Sequence, residues 1–126
     1  LVSGRPEHPS GHIKFPIARE SETSLKRVCR EDGKPAHTHY NVLMSNQNFS
    51  LLELELFTGR THQIRVQFAS RKMPLAGDRR YGSKRESRII ALWSCYISFI
   101  HPVTKEKMTF EAPLPSHFIE AINSIK

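Results

Sequence analysis

The spacing of the apolar positions first changes near the middle of the chain. The runs 37–44 and 49–57 are strand-like, and in the second of them leucines alternate with glutamates between positions 52 and 56. Because successive side chains of a strand point to opposite faces, this pattern places one face on a core and the other in solvent. The polar segment 45–48 joins the runs, so the sequence predicts an antiparallel hairpin with one buried face.

A helical spacing follows this hairpin. Ile64, Phe68 and Met73 recur at helical intervals. Thr61 is of a residue type that caps helix N-termini, and Pro74 cannot continue a helix because it lacks an amide hydrogen. The sequence therefore predicts a helix that Thr61 caps and Pro74 ends.

The C-terminal part returns to the strand pattern and closes with a second helix. Residues 89–100 form a strand-like apolar run, 101–107 a turn and 108–111 the returning strand. Over 116–125 the apolar residues share one face of a predicted helix. The residues on that face are Phe118, Ile122 and Ile125.

The N-terminal part has fewer periodic positions. Residues 1–12 are rich in Gly, Pro and His and predict irregular chain, followed by a short extended piece at 13–17. The charged stretch 19–36 predicts a loop, a short strand and a tight turn, and we expect it to be the mobile region. Together the elements predict a single α+β domain over residues 1–126, mainly antiparallel sheet with two short helices.

Composition and charge narrow the function classes. The chain has 126 residues with 19 Lys+Arg against 12 Asp+Glu, a formal net charge of +7. A basic excess of this kind favours a polyanionic partner such as RNA. No apolar stretch is long enough to cross a bilayer and no signal-peptide pattern opens the chain, so we expect no membrane partner and a cytoplasmic location.

The thiols and imidazoles give no sign of redox or metal chemistry. Cys29 and Cys95 lie far apart without CxxC spacing, which favours a reducing compartment and buried thiols over nucleophiles. His37 and His39 would project from the same face of a strand. No third ligand follows at a recognisable spacing, so we predict no metal site.

Two polar segments are candidates for binding anions. At the strand-to-helix junction 58–66, unsatisfied helix amides would combine with Arg60, His62 and Arg65 to address a phosphate or a carboxylate. A capped helix with solvated basic residues would show the same spacing. Further on, six cations fall within 15 positions and are interleaved with Tyr81: Arg71, Lys72, Arg79, Arg80, Lys84 and Arg85.

Basic residues interleaved with an aromatic residue suit a surface that follows a nucleic-acid backbone. A solvated charged loop, or a surface that binds an acidic protein, would have the same pattern. The residues alone leave these alternatives open.

Several motifs resemble those of the RluA-type RNA pseudouridine synthases. The segment 54–66 (LELFTGRTHQIRV) is followed by PLAGD at 74–78 and by Tyr81-Gly82. The resemblance extends to GHI at 11–13, THYNVL at 38–43, FIHP at 99–102 and FEAPLP at 110–115. It covers nearly the whole chain and corresponds to the C-terminal part of that family's catalytic domain. One departure is Gln67, which stands where many relatives have histidine.

The resemblance implies a cofactor-free isomerisation of uridine to pseudouridine in structured RNA, rRNA or tRNA. The family's aspartate helps to cleave the glycosidic bond of a flipped uridine, and the base is rejoined through carbon 5. The family arginine that pairs with this aspartate maps onto Arg65. The family's His-Arg-Leu-Asp segment and active-site tyrosine would lie before Leu1, and Asp78 would only accept backbone hydrogen bonds in its turn.

We therefore expect a partial pseudouridine synthase domain that is inactive as this chain alone, with a separate chain as one possible source of the missing N-terminal half. A non-catalytic RNA-binding module and a structural remnant are the alternatives. Arg65 is the predicted catalytic residue. The predicted RNA-binding residues are Arg60, His62, Arg71, Lys72, Arg79 and Arg80.

Overall fold

The computed structural model describes residues 1–84 and 89–123 as antiparallel strand pairs and two α-helices. A short 3-10 turn lies at Arg79–Tyr81. In chain order the strands are β1 (Val2–Ser3), β2 (Ser10–Ile13), β3 (Ile17–Arg19), β4 (Arg27–Cys29), β5 (Thr38–Ser45), β6 (Phe49–Leu56), β7 (Tyr96–Ile100) and β8 (Lys107–Glu111), and the helices are α1 (Gln63–Ser70) and α2 (Ser116–Asn123). None of these described helices has the length and apolar character of a membrane span. The predicted α+β class with mainly antiparallel sheet is confirmed.

The central hairpin is the pair β5–β6, as the alternation predicts. It lies inside a four-stranded sheet with the order β1-β6-β5-β2, and the other strands form the separate pairs β3–β4 and β7–β8. The register places His12 opposite His39 and His39 opposite Glu55, so these polar residues share one face. The other face carries Ile13 and Tyr40, which are buried.

Helix α1 covers this apolar face. Phe68 is fully buried and packs with Ile13, Tyr40, Met73 and Leu75. Burial of a side chain of this size contributes about 1.5 to 3 kcal/mol, so this cluster holds α1 on the sheet. A second apolar cluster, which includes Phe118 and Ile122 of α2, lies against Leu1, Leu51 and Ala76.

Helix α1 is shorter than predicted at both ends. It begins at Gln63, with His62 in the N-cap position and no side-chain cap, so the prediction that Thr61 caps it is wrong. It ends at Ser70 rather than at Pro74. Lys72 has a φ of 62° and donates to the Ala69 carbonyl, and the next amide, Met73, donates to Phe68. This pair of bonds is a Schellman motif, which stops the helix before proline is reached.

The N-terminal third contains more strand than the sequence predicts. Strand β1 and most of β2 fall within residues 1–12, where irregular chain is expected, because each pairs with a strand that lies far along the sequence. The predicted piece at 13–17 is divided between the end of β2 and the start of β3. The short strand predicted within 19–36 is β4, which pairs with β3.

Only part of the predicted strand at 89–100 forms. The structure confines it to β7, Tyr96–Ile100, and pairs it with β8. In the preceding segment, Ile90 and Ala91 pack on the core instead. The Ala91 amide donates to the Ala76 carbonyl, and the Leu1 amine donates to the Ala91 carbonyl. In α2 the predicted face holds at Phe118 and Ile122, whereas Ile125 lies outside the described residues.

The two thiols differ in exposure. Cys29 is half-buried, and burial raises the pKa of its thiol. Cys95 is exposed, because it stands just before a hairpin that the core does not cover. The prediction of a buried thiol is therefore wrong at Cys95.

Candidate functional site

The junction between β6 and α1 is fixed by the buried side chain of Gln63. Its Oε1 accepts hydrogen bonds from the Thr58 hydroxyl at 2.7 Å and from the Arg60 amide at 2.9 Å. Its Nε2 donates to the His37 carbonyl at 3.1 Å and to the Thr38 hydroxyl at 2.9 Å. One amide side chain thus joins β5, the loop and the first turn of α1.

Gln67, one turn further along, continues the same network. The Thr38 hydroxyl donates to its Oε1 at 2.7 Å, and its Nε2 donates to the carbonyls of Phe15 at 3.1 Å and Ala36 at 3.2 Å. A buried amide with its donors and acceptors satisfied fixes the rotation of a helix about its axis. Sequence reasoning singled out Gln67 only as a departure from the family and missed Gln63. The signal that could have found them was two glutamines four positions apart on the buried side of the helix.

The fixed rotation directs Arg65 away from the sheet and toward Asp78. Arg65 Nε donates to Asp78 Oδ2 at 2.8 Å, and Nη2 donates to Oδ1 at 2.9 Å. Asp78 is 1% exposed and the Arg65 side chain 19% exposed. Bidentate pairs of this kind are strong and orient the guanidinium plane. Hydrogen bonding to Asp78 is the main cause that raises the pKa of Arg65.

Asp78 therefore does more than its predicted role in the turn. Its backbone carbonyl accepts from the amides of Tyr81 at 3.3 Å and Ser83 at 3.0 Å, as predicted, whereas its carboxylate accepts from Arg65. The pairing of the side chain with Arg65 was not predicted. A buried carboxylate requires a cation, and Arg65 is the cation within reach.

Tyr81 lies beside this ion pair and contacts three elements. Its buried ring has the Arg65 guanidinium carbon 4.9 Å from its centroid. Its Oη accepts the Arg27 amide hydrogen at 2.9 Å and lies 2.7 Å from His62 Nδ1. This oxygen accepts from Arg27, and its own hydrogen can be donated to Nδ1 when the imidazole is neutral.

The electrostatics around His62 agree with a neutral ring. Desolvation lowers its pKa most, and the positive charges of Arg65, Arg80 and Arg27 lower it further. The backbone of His62 has a φ of 54°, a left-handed conformation that costs a residue other than glycine about 1 to 3 kcal/mol. The bond from its ring to Tyr81 helps to hold this conformation.

The structure separates the predicted basic residues into two groups. In the first group, His62 and Arg80 lie near Arg65. The exposed Arg79 is on the same 3-10 turn as Arg80. Arg60, which is also exposed, precedes α1 in the chain and donates to the Pro35 carbonyl at 2.8 Å. Arg71 and Lys72 follow the other end of α1, where the Arg71 guanidinium lies 6.0 Å from the Tyr40 ring centroid. Lys84 is exposed, and Arg85 lies outside the described residues.

Two further cations, which the sequence analysis did not identify as candidates, lie close to Tyr81. Lys26 Nζ is 5.7 Å from the centroid of the Tyr81 ring. Arg27 reaches Tyr81 through its backbone amide. We call Lys26, Arg27, Arg65 and Arg80, together with Tyr81, the Tyr81 cluster. The adjacent pair Lys26-Arg27 was visible in the sequence, but nothing there relates it to a residue 54 positions away.

Comparison with known proteins connects this site to a family. The family model described as RNA pseudouridylate synthase matches residues 1–70. The chain belongs to the RNA pseudouridylate synthase family. The resemblance carried by the sequence motifs is thus confirmed, and the match includes Arg65 and the helix that carries it.

Individual relatives agree with this family. The chain is 42% identical over 123 residues to an uncharacterized RNA pseudouridine synthase, YjbO, of Bacillus subtilis (strain 168), covering 97% of this chain and 44% of that protein. It is 36% identical to the ribosomal large subunit pseudouridine synthase D of Haemophilus influenzae, covering 92% of this chain and 40% of that protein. The chain therefore spans less than half the length of these relatives.

Solved structures share the fold. The human RNA pseudouridylate synthase domain containing 1 protein superposes with a TM-score of 0.75 at 22% sequence identity, covering 98% of this chain and 63% of that chain. The human domain containing 4 protein gives a TM-score of 0.73 at 20% identity. This second superposition covers 97% of this chain and 58% of that chain, so this chain spans less than two thirds of each solved chain.

Proposed function

We propose that this pseudouridine synthase chain supplies the arginine, Arg65, of an active site that isomerises uridine in structured RNA, rRNA or tRNA. The observation that carries the proposal is the Arg65–Asp78 pair. Asp78 occupies Nε and Nη2 of Arg65, and Nη1 has no hydrogen-bond partner in the described part of the chain. Arg65 is therefore held rigidly by one carboxylate with a donor left for a second.

The second carboxylate is the family's catalytic aspartate. The sequence His-Arg-Leu-Asp does not occur in residues 1–126. We assign this aspartate to protein outside this sequence, either another part of the same polypeptide or a separate chain. A guanidinium beside a desolvated carboxylate lowers its pKa and keeps it ionised, which is the form that nucleophilic assistance requires.

The reaction is an isomerisation and needs no redox partner. The bond between C1′ of the ribose and N1 of uracil breaks, the base rotates, and a bond forms between C1′ and C5. C5 then loses its proton and N1 gains one. The role of Arg65 is to position and stabilise the aspartate, while the exposed cations Arg60, Lys72, Arg79 and Arg80 bind RNA phosphates with His62 and Arg71.

A non-catalytic RNA-binding module is the second candidate. One observation favours it: Asp78 already neutralises Arg65, so the site is electrostatically satisfied without the family's aspartate. The two candidates differ in what happens when an aspartate-bearing segment is supplied.

The test measures pseudouridine in a uridine-containing RNA by mass-shift labelling. Residues 1–126 alone should give no product. The same chain combined with a segment of a relative that bears His-Arg-Leu-Asp should give product. Arg65→Lys should lower that activity at least about 100-fold, because lysine keeps the positive charge but lacks the planar pair of donors that the guanidinium presents to a carboxylate.

Two outcomes would contradict the proposal. Product from residues 1–126 alone would show that the catalytic residue lies within them. Full activity of the combined protein with Arg65→Lys, or with the double variant Arg65→Met and Asp78→Asn, would remove Arg65 from the active site. Circular dichroism of each variant checks that it is folded.

A further inference from the structure

Arg27 has a buried guanidinium nitrogen that the described part of the domain does not use. Its Nη1 is inaccessible to solvent and has no hydrogen-bond partner among residues 1–84 and 89–123. The backbone of the same residue is firmly placed, because its amide donates to Tyr81 Oη at 2.9 Å and β4 pairs with β3. A buried N–H of a charged group without an acceptor destabilises the folded state, so it marks a place where an acceptor is missing.

The surroundings of Arg27 favour an anion as that acceptor. Within the described part of the chain, three guanidinium groups and one carboxylate act on the pKa of His62. The carboxylate is Asp78, and both of its oxygens already accept from Arg65. Lys26 adds a further positive charge at 5.7 Å from the Tyr81 ring centroid, and the exposed Glu20, whose carboxylate lies 3.9 Å from Lys26 Nζ, offsets it in part. The Tyr81 cluster thus has more positive charge than the described residues neutralise.

The geometry points to a phosphate subsite, formed by Arg27 with Lys26 and Arg80 beside Arg65, that binds the RNA backbone next to the target uridine. Because Nη1 is inaccessible to solvent in this structure, the phosphate reaches it only when the Arg27 side chain turns outward. This inference rests on the proposed function for its choice of RNA. The family's aspartate has Arg65 Nη1 as its donor, so Arg27 Nη1 is a separate donor on a separate element. Guanidinium and ammonium groups together are the usual ligands of phosphate oxygens.

The exposed Arg19 provides a matched control. It lies directly opposite Arg27 in the β3–β4 register, in the same two-stranded sheet, and its guanidinium donates to the Glu22 carbonyl at the surface. Arg19→Met and Arg27→Met therefore remove the same charge from adjacent positions of one hairpin. Only the second removes a buried guanidinium donor without an acceptor.

The first measurement is RNA affinity against salt concentration. Arg27→Met should lower the slope of log affinity against log salt by about 0.7 to 0.9, the contribution of one phosphate contact. Arg19→Met should leave the slope as in the wild type. An unchanged slope for Arg27→Met, when the wild-type slope is steep, would overturn the phosphate subsite while leaving RNA binding intact.

The second measurement does not depend on RNA. The side-chain NMR signal of Arg27 should shift on titration with uridine 5′-monophosphate and stay in place with uridine or acetate. A shift with acetate equal to that with the monophosphate would overturn the choice of phosphate. Because a small nucleotide is the probe, this result stands even where an extended protein forms no pseudouridine.

A thermal melt distinguishes a ligand role from a structural one. Without RNA or nucleotide, Arg27→Met should melt at or above the wild-type temperature, because it removes a buried donor that lacks an acceptor. A lower melting temperature for Arg27→Met than for Arg19→Met would show that the guanidinium supports the fold, and would overturn the inference.

Discussion

Asp78 determines the orientation of Arg65, and the two residues belong to different local structures. Arg65 lies on α1, whereas Asp78 stands at the start of a 3-10 turn. The resemblance to RluA-type synthases identified Arg65 and expected its partner outside this chain. The structure adds a second partner 13 residues along the chain. A spacing of 13 across a helix end and a turn has no periodic signature, so the sequence alone could not predict this pair.

The stability of the Arg65–Asp78 pair is testable by removing its negative charge. Asp78→Asn should lower the free energy of unfolding by about 3 kcal/mol, the lower end for a broken buried pair, because Arg65 keeps some contact with water. Urea unfolding measures this change. The exposed pair of Arg30 with Asp32 is the control, and Asp32→Asn should cost less than about 1 kcal/mol. Equal losses for both variants would contradict the buried role of Asp78.

His62 predicts a pH dependence of stability. Its pKa in the folded state lies below the ordinary 6.5, mainly because of desolvation and then because of Arg65 and Arg80. The unfolded chain therefore binds more protons near and below pH 6.5, so the free energy of unfolding falls as pH is lowered through that range. His62→Gln should flatten this fall between pH 7.5 and about pH 5.5. Wild-type and variant curves of the same slope would contradict the prediction.

At the scale of elements, the sequence pattern predicted the strands and helices that are formed by contacts between residues close together in the chain. The β5–β6 hairpin was predictable because its strands are neighbours in sequence and β6 alternates at period two. Strands β1 and β2 were missed because their partners lie far along the chain. The segment 89–95 has an apolar composition that suits a strand, but the backbone bonds of Ala91 go to Ala76 and Leu1 instead. The Schellman motif at Lys72 lacks the glycine that usually announces it.

The β7–β8 hairpin has an apolar face that the described part of the chain leaves uncovered. Ile97 pairs with Phe110, and Phe99 pairs with Met108, which places these four residues on one face. Phe99 and Phe110 stack with their centroids 6.0 Å apart, and Ile97 is 54% exposed. Apolar strand faces of this kind favour association.

Sedimentation should detect this association. Residues 1–126 should form dimers at high concentration, and Ile97→Lys should shift them to monomers because a charge on this face opposes its burial. Ser98→Lys is the control, since Ser98 lies on the opposite face of the same strand. A compact wild-type monomer at every concentration tested would refute the prediction.

At the scale of the whole molecule, the net charge of +7 is unevenly distributed. The Tyr81 cluster and the adjacent Arg79 lie near one end of α1, whereas Arg71 and Lys72 lie at the other end. The charge was visible in the sequence as a single run of basic residues. Its division between the two ends of a helix depends on how the chain turns back at residues 74–78, which composition does not describe.

This division predicts unequal contributions to RNA binding. The double variant Arg79→Ala and Arg80→Ala should weaken binding and lower the salt slope by about 0.7 to 0.9 for each phosphate that the variant no longer binds. Arg71→Ala with Lys72→Ala removes the same charge at the far end of α1 and should have the smaller effect. Fluorescence anisotropy with a structured RNA at several salt concentrations measures both. Affinity that does not vary with salt would contradict an electrostatic interface.

The hydrogen bond from the Arg27 amide to the Tyr81 hydroxyl has a consequence for how the site can be observed. This amide is protected by a phenol 54 residues away rather than by its neighbouring strand β3. Its hydrogen should therefore exchange with solvent when Tyr81 moves, and such a movement also withdraws the ring from Arg65 and the hydroxyl from His62. The exchange rate at one backbone position thus measures how often the arginine site opens.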